Sequence, residues 1–485
     1  MRRPALAWRP ILTVALGVLA LLLIVANRYG FHRDELYFLE AAQHLALGYV
    51  DQPPLTPALA RLQTTLFGFS PRSVRVIPAV TVGVVAFLAA LLARELGGGR
   101  RPQIWSAVAI SCAGFVLAVG HLLSTSTFDF AFWLALILVV ARLLRTGDPR
   151  WWVAYGALAG VALWNKHLPV LLTLAVLVAL AAARRWEVLA PRWLAVGGAL
   201  ALAIAAPTLW WQAINGWPQL QMAAALSERT GAESRATLLP LQLVLLSPVL
   251  VPTAVAGMRW LQGAGRTFAP LGWAYLVALV LTFVTGGRPY YPLPLAAVLV
   301  VAGMVALAQR DPGERSRARL LTVHVIASAV IALPLLPPPV LVRTPIPVLN
   351  DTHVESLGWT ELAEQVAATV DRLPEQDREN LVLLTGSYGE AGALDRYGPA
   401  LDLPEPYSGH NSYWHWRRPD NDHATLIAIR VPMSVLQPHF ASCVEIDHVR
   451  FDLPIGNEVQ GAPIVLCRDL RGTWQELWPR LRHLS

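Results

Sequence analysis

The sequence predicts a mainly α-helical fold: a polytopic transmembrane helical bundle of about eleven spans with extracytoplasmic surface helices, followed by a small soluble α/β domain. Three observations predict it. Apolar windows near bilayer-spanning length recur from residue 10 to residue 337. Arginines cluster in every second connection between them. Beyond a proline-rich stretch the composition turns to that of a soluble domain.

The apolar windows lie near 10–27, 74–93, 103–120, 128–144, 152–165, 168–183, 193–210, 239–257, 269–285, 291–308 and 319–337. Hydrophobic residues make up 55% of the chain and charged residues 15%, and the mean hydropathy is +0.47, which places it outside ordinary soluble proteins. The net charge of +7 does not point to nucleic acid, because the arginines fall in short clusters between apolar runs, where they set topology. The start, MRRPALAWRP, has the basic character of a signal peptide. Asn27-Arg28-Tyr29 follows the apolar run directly and offers no small-residue cleavage site, so the run reads as an uncleaved first span.

Arg2-Arg3, Arg94/Arg100-Arg101, Arg142/Arg145/Arg150, Arg184-Arg185/Arg192, Arg259/Arg266 and Arg310/Arg315/Arg317/Arg319 occupy alternate connections. The positive-inside rule then puts the N-terminus in the cytoplasm and the chain in the plasma membrane as a multi-pass protein, with the C-terminal domain outside. The domains follow: 1–337 for the transmembrane domain, with a first outer loop at 28–72; 338–350 for a proline-rich, extended linker; and 351–485 for the extracytoplasmic α/β domain.

Polar groups without a topological duty collect on the predicted outer face. Tyr29 to Pro57 holds His32, Arg33, Asp34, Glu35, Glu40, His44 and Asp51, and its apolar spacing suits an amphipathic helix on a membrane surface, stopped by Asp51-Gln-Pro-Pro. Asp34 and Glu35 are adjacent and point about 100° apart on a helix, so they cannot serve one bound atom together. One is the working group and the other a cap or surface charge, and both also fit a plain helix start. Asp129 heads a span, where an interfacial acid at a helix start is the structural alternative. Lys166 is the one lysine among 39 Lys and Arg residues. A point-charge ammonium differs from arginine's planar fork against a phosphate, although a snorkelling cation would look the same. Arg288, between Gly287 and Pro289 and followed by Tyr290-Tyr291, is a second outer cation beside aromatics, with interfacial anchoring as the alternative. His32, His121 and His167 lack metal-ligand spacing, so no metal site is assigned.

In the last domain, Val354–Leu373, Glu390–Tyr397 and Trp474–Leu481 read as helices. Leu381–Thr385, Ala424–Val431, Cys443–Val449 and Ile464–Cys467 read as strands. Cys112 reads as a buried apolar residue within a span. Cys443 and Cys467 are either free or joined, since an oxidising compartment allows a disulfide.

These residues resemble a family. Asp34-Glu35, Tyr37, Gly48 and Asp51-Gln-Pro-Pro-Leu-Thr-Pro are similar to the first outer loop of the family 39 glycosyltransferases, C-superfamily membrane enzymes that include protein O-mannosyltransferases and lipid A aminoarabinose transferases. Asp129 in TSTFDFAFW, Gly160-Val-Ala-Leu-Trp-Asn-Lys166 and Arg288-Pro-Tyr-Tyr-Pro-Leu-Pro294 resemble three later motifs, so the likeness spans about residues 10–310. The chain departs in Asn165, His167 and an arginine at 288, where lysine is frequent. The resemblance implies an enzyme of the bilayer that transfers a sugar from a polyprenyl-phosphate donor to a hydroxyl of a protein, lipid or glycan acceptor, with inversion. Asp34 is then the general base. Lys166, Arg288 and Tyr290 hold the donor phosphate, and Glu35, Tyr37 and Asp51 contact substrate. Asp129 is the second catalytic acid, open to orienting the base, holding the sugar or binding a divalent cation; no cofactor is required.

Two readings compete. A lipid or glycan transporter calls for charges at mid-membrane and matching halves, and the sequence has neither. A membrane-anchored carbohydrate-binding protein is suggested by Tyr407-Ser-Gly-His-Asn-Ser-Tyr-Trp-His-Trp416, whose aromatics suit a sugar surface or equally a covered core.

Overall fold

A computed structural model describes residues 3–310 and 314–484. The chain divides into two compact units: Met1–Asn27, Gln52–Thr56 and Phe67–Leu335 form one, and Arg28–Asp51, Pro57–Leu66 and Leu336–Ser485 form the other. Most of the first connection, assigned above to the transmembrane domain, therefore groups with the C-terminal part of the chain.

Among the described residues of the first unit, six helices are long and apolar enough to cross a membrane: Trp8–Val25, Pro71–Glu95, Thr125–Thr146, Pro191–Ile214, Arg266–Thr285 and Leu293–Arg310. Two bent pairs, Arg100–Ser111 with Gly114–Gly120 (60°) and Pro218–Leu246 with Pro248–Gln262 (84°), raise the number to eight if each counts as one span. Trp151–Ala162 and Pro169–Ala182 are apolar but shorter. Every predicted window coincides with helix, yet fewer than eleven make a straight crossing. The 239–257 window breaks at Ser247, whose φ of 116° leaves helical space just before Pro248. The 103–120 window breaks at Ala113, which is extended (φ −64°, ψ 144°).

Glycines let these helices approach closely. A Cβ on Gly257 would fall 1.8 Å from the Leu299 carbonyl oxygen, and one on Gly303 1.9 Å from that of Thr253, so Val251–Gln262 and Leu293–Arg310 pack backbone to backbone. Leu293–Arg310 is buried from Leu293 to Ala306 and forms the spine of this unit. At one end of the unit Glu95, 3% exposed, gathers Arg3 (2.9 Å), Arg142 (3.0 Å) and Arg145 (2.6 Å), so three of the arginines that served as topology signals also satisfy a buried carboxylate.

The second unit carries a five-stranded mixed sheet ordered β2-β1-β3-β5-β4, with β1 Leu381–Thr385, β2 Pro406–Ser408, β3 Thr425–Ile429, β4 Phe440–His448 and β5 Pro463–Leu470. β1 runs parallel to β2 and β3, and β5 antiparallel to β3 and β4. The four predicted strands are present. Three-residue β2 was not legible within its aromatic segment. The helix predicted from Val354 starts later, at Trp359, because Gly358 adopts φ 86° after a turn at Asp351–Ser356. Cys443 and Cys467 face each other across β4 and β5 and form a disulfide. The linker expected to be extended instead forms two short helical turns, Pro338–Leu341 and Ile346–Leu349, each with proline in its first turn, where a missing N–H costs nothing.

The expected first-loop helix is Arg33–Ala41, shorter than its apolar spacing suggests. Its apolar residues are covered by protein: Leu36 to Ala41 are all buried, and Gly392 of the helix Tyr388–Tyr397 lies so close that a Cβ there would sit 2.8 Å from Leu36 Cβ.

Candidate active site

In the first unit the site forms around the N-terminus of the helix Thr125–Thr146. Asn165, fully buried, donates from Nδ2 to the Thr125 carbonyl (2.9 Å) and accepts from Thr56 Oγ1 (3.2 Å), while Leu55 N donates to the Trp164 carbonyl (2.9 Å). Asparagine, both donor and acceptor, thus ties the 52–56 segment to the helix start, and the departure from the family pattern at 165 has a structural reason. The next residue, Lys166, donates from Nζ to Ser126 Oγ (3.0 Å) and lies 5.2 Å and 5.9 Å from the ring centres of Tyr290 and Tyr291, within cation–π range. Asp129, one turn on from Ser126, is 7% exposed and feels the Lys166 charge, and its Oδ1 has no hydrogen-bond partner among the described residues. Nearby in sequence to Thr56, the buried Gln52 amide has neither of its polar atoms paired among the described residues.

Arg288 is half-buried in the turn after Arg266–Thr285, and among the described residues neither it nor Lys166 makes an ion pair. Tyr290 is stacked on Phe115 at 5.2 Å and set edge-on to Tyr291 at 5.1 Å, so the ring that faces Lys166 is fixed from two sides. Between Arg288 and Tyr290, the Pro289 carbonyl accepts a hydrogen bond from Gln242 Nε2. Gln242 is the polar end of an apolar cavity of about 250 Å³, walled by Leu246, Val251, Met258, Tyr275 and Leu299. Lys166, Asp129 and Tyr290 therefore come together, and Arg288 neighbours an apolar cavity that the sequence did not reveal.

The second unit holds Asp34, Glu35, Tyr37 and Asp51. His32 and Glu35 form a reciprocal cap: His32 N donates to Glu35 Oε2 (2.8 Å), and Asp34 N donates to His32 Nδ1 (3.1 Å). Glu35 is fully buried in this duty, whereas 38% of the Asp34 side chain is exposed. Of the two neighbouring acids, Glu35 is therefore the one that caps the helix. Tyr37 is also buried; its hydroxyl donates to Asp51 Oδ1 (2.6 Å). Burial pushes the Asp51 carboxyl up to about 6 against the opposing effect of that hydrogen bond.

Asp34 accepts a 2.8 Å hydrogen bond from the Tyr388 hydroxyl and lies 3.7 Å from Arg33 Nε. Arg33 in turn reaches Glu355 (3.0 Å) and Glu458 (3.3 Å), and Glu458 continues to Arg430 (3.0 Å). Burial raises the Glu355 carboxyl to about 7 despite Arg33. Further along the helix, Arg417 bridges Glu40 and Asp395 (2.6 Å to the latter), and Trp416 stacks on His44 at 5.0 Å and on Tyr37 at 5.7 Å. The aromatics that suggested a sugar-binding surface are thus spent on internal contacts, since Tyr413 is buried and the Trp414 and Trp478 indoles bond each other's carbonyls. Tyr388, Arg417, Ser126 and Gln242 escaped sequence reasoning. Only Ser126 carried a local signal, three residues before Asp129.

Residues 51–211 match the family described as dolichyl-phosphate-mannose-protein mannosyltransferase. The fold matches the crystal structure of ArnT from Cupriavidus metallidurans bound to undecaprenyl phosphate, with a TM-score of 0.60 and 16% identity over 94% of this chain and 97% of that one. ArnT in the apo state matches with a TM-score of 0.56 and 15% identity over the same shares. The mycobacterial arabinofuranosyltransferase AftD matches with a TM-score of 0.51 and 15% identity, covering 96% of this chain and 40% of that one. No curated protein matches the chain by sequence. The resemblance read from the motifs is borne out by the match over residues 51–211, and the fold is shared with ArnT over 94% of the chain.

Proposed function

We propose that the chain transfers a sugar from a polyprenyl-phosphate donor to an acceptor hydroxyl on the extracytoplasmic side of the membrane, inverting the anomeric centre, with Asp34 as general base. The observation that carries this reading is the conjunction in one unit of an ammonium without an acid partner, framed by Tyr290 and Tyr291, and the Arg288 turn hydrogen-bonded to Gln242 of an apolar cavity. A phosphate on a long hydrocarbon chain needs both parts: fixed cations for the charged end and a dry wall for the tail. ArnT, whose fold this chain shares, has been crystallised with undecaprenyl phosphate.

In the reaction, the acceptor O–H proton passes to the Asp34 carboxylate while the acceptor oxygen bonds to the anomeric carbon from the face opposite the phosphate. The bond from that carbon to the phosphate oxygen breaks, and its electron pair leaves with the polyprenyl phosphate. Lys166 and Arg288 meet the charge that develops there. Asp129, buried one turn on from Ser126, holds the sugar in place.

The test is reconstitution of the purified protein in liposomes with radiolabelled undecaprenyl-phosphate hexoses and pentoses and a cell-envelope extract as acceptor. Label moving from the lipid into the extract supports transfer. Label that only crosses the bilayer, or stays on the lipid across the whole donor panel, contradicts it.

A further inference from the structure

The candidate base is held by a residue that lies 354 positions away in the sequence. Tyr388 Oη donates to Asp34 Oδ1 at 2.8 Å. The tyrosine itself has little freedom. It starts the helix Tyr388–Tyr397, which Ser387 caps through Gly389 N (3.2 Å); its ring stacks on His410 at 4.7 Å and packs tilted against Tyr37 at 4.8 Å, and its own N–H donates to His410 Nδ1 (3.3 Å). Two glycines bring this helix against Arg33–Ala41: a Cβ on Gly389 would sit 3.2 Å from Arg33 Cβ, and one on Gly392 2.8 Å from Leu36 Cβ. Burial and the Asp34 charge keep the Tyr388 phenol protonated, so it stays a donor.

We propose that Tyr388, from the C-terminal α/β region, is a positioning residue for Asp34. The inference rests on the assignment of Asp34 as base. A donor fixed on one carboxylate oxygen limits rotation about the side chain, while the group remains 38% exposed toward an incoming hydroxyl. A hydrogen bond to the charged form also favours the ionised base. Other groups act on the same carboxylate: Arg33 at 3.7 Å, His32 Nδ1 at 4.0 Å, and, through space, Asp51 and Glu355, with Glu458 reaching it by way of Arg33. Tyr388→Phe removes one hydroxyl and leaves all of these and the ring stacking in place.

The experiment reads the Asp34 carboxyl directly in the full-length protein. Carbodiimide with glycine ethyl ester amidates protonated carboxyls, and tandem mass spectrometry separates Asp34 from Glu35. The pH midpoint of Asp34 labelling is expected to rise by about one unit in Tyr388→Phe. The acidic limb of the transfer-rate profile should move with it, kcat falling about tenfold while the donor KM holds. Tyr413→Phe, which removes an equivalent hydroxyl bond to Asp395 (2.8 Å), should leave the Asp34 midpoint where it is. An unmoved midpoint in Tyr388→Phe, or an equal shift in Tyr413→Phe, overturns the inference. If the midpoint shifts but Asp34→Asn still transfers sugar, the base assignment fails and the Tyr388 contact stands.

Discussion

Lys166 Nζ donates to Ser126 Oγ at 3.0 Å, one helical turn before the buried carboxylate of Asp129. The single lysine of the chain is thus anchored to a neutral hydroxyl instead of being neutralised by an acid, which leaves its charge available to an anion. Lys166→Ala should raise the donor KM at least about tenfold with a smaller effect on the acceptor KM, as expected for loss of a charge-assisted contact. Arg192→Ala, which removes an exposed arginine stacked on Trp193, is the matched control. Equal effects of the two substitutions on steady-state kinetics would remove Lys166 from the donor site.

Asp129 has a different profile: its carboxyl is buried and its Oδ1 has no hydrogen-bond partner among the described residues, an arrangement that costs stability. Asp129→Asn should leave the thermal midpoint unchanged or raise it by about 1–2 °C while lowering turnover at least about tenfold. Thermal shift in detergent, run beside the transfer assay, separates the two effects. A variant that melts early and turns over normally would make Asp129 structural.

The apolar cavity ending at Gln242 predicts sensitivity to lipid length. Ala254→Phe places a ring into that space. Affinity for undecaprenyl-phosphate donors should drop several-fold, whereas donors on a short citronellyl chain should be unaffected, because they do not reach the wall. The ratio of KM values for the two chain lengths measures this.

Glu355 makes the second unit pH-sensitive. Its carboxyl is raised to about 7 in the folded protein by burial, above its unfolded value of 4.5. The folded state therefore binds more protons than the unfolded one across that interval, and stability falls as pH rises from about 4.5 to about 7, by up to about 3 kcal/mol. Melting curves of Glu355→Gln should lack this slope. A wild-type protein that gains stability relative to the variant over the same interval would contradict the assignment and favour the Arg33 ion pair as the dominant influence.

Much of this was legible in the sequence because the signals were local. Hydropathy located the helices, and the one lysine and the acids heading helices marked the candidate residues within each unit. The bends at Ser247 and Ala113 were hidden because a change in a single residue's dihedrals leaves the apolar run intact. Asp34 and Glu35 looked interchangeable until the reciprocal His32 bonds showed which one caps the helix. Tyr388 and Arg417 carry no pattern near themselves; their meaning lies in partners more than 350 residues away, a pairing that only the folded chain provides.

With radiolabelled undecaprenyl-phosphate sugar in liposomes, Asp34→Asn should insert, melt and bind the donor as the wild type does and yet lose transfer by at least about a thousandfold. Turnover near the wild-type rate would contradict the account.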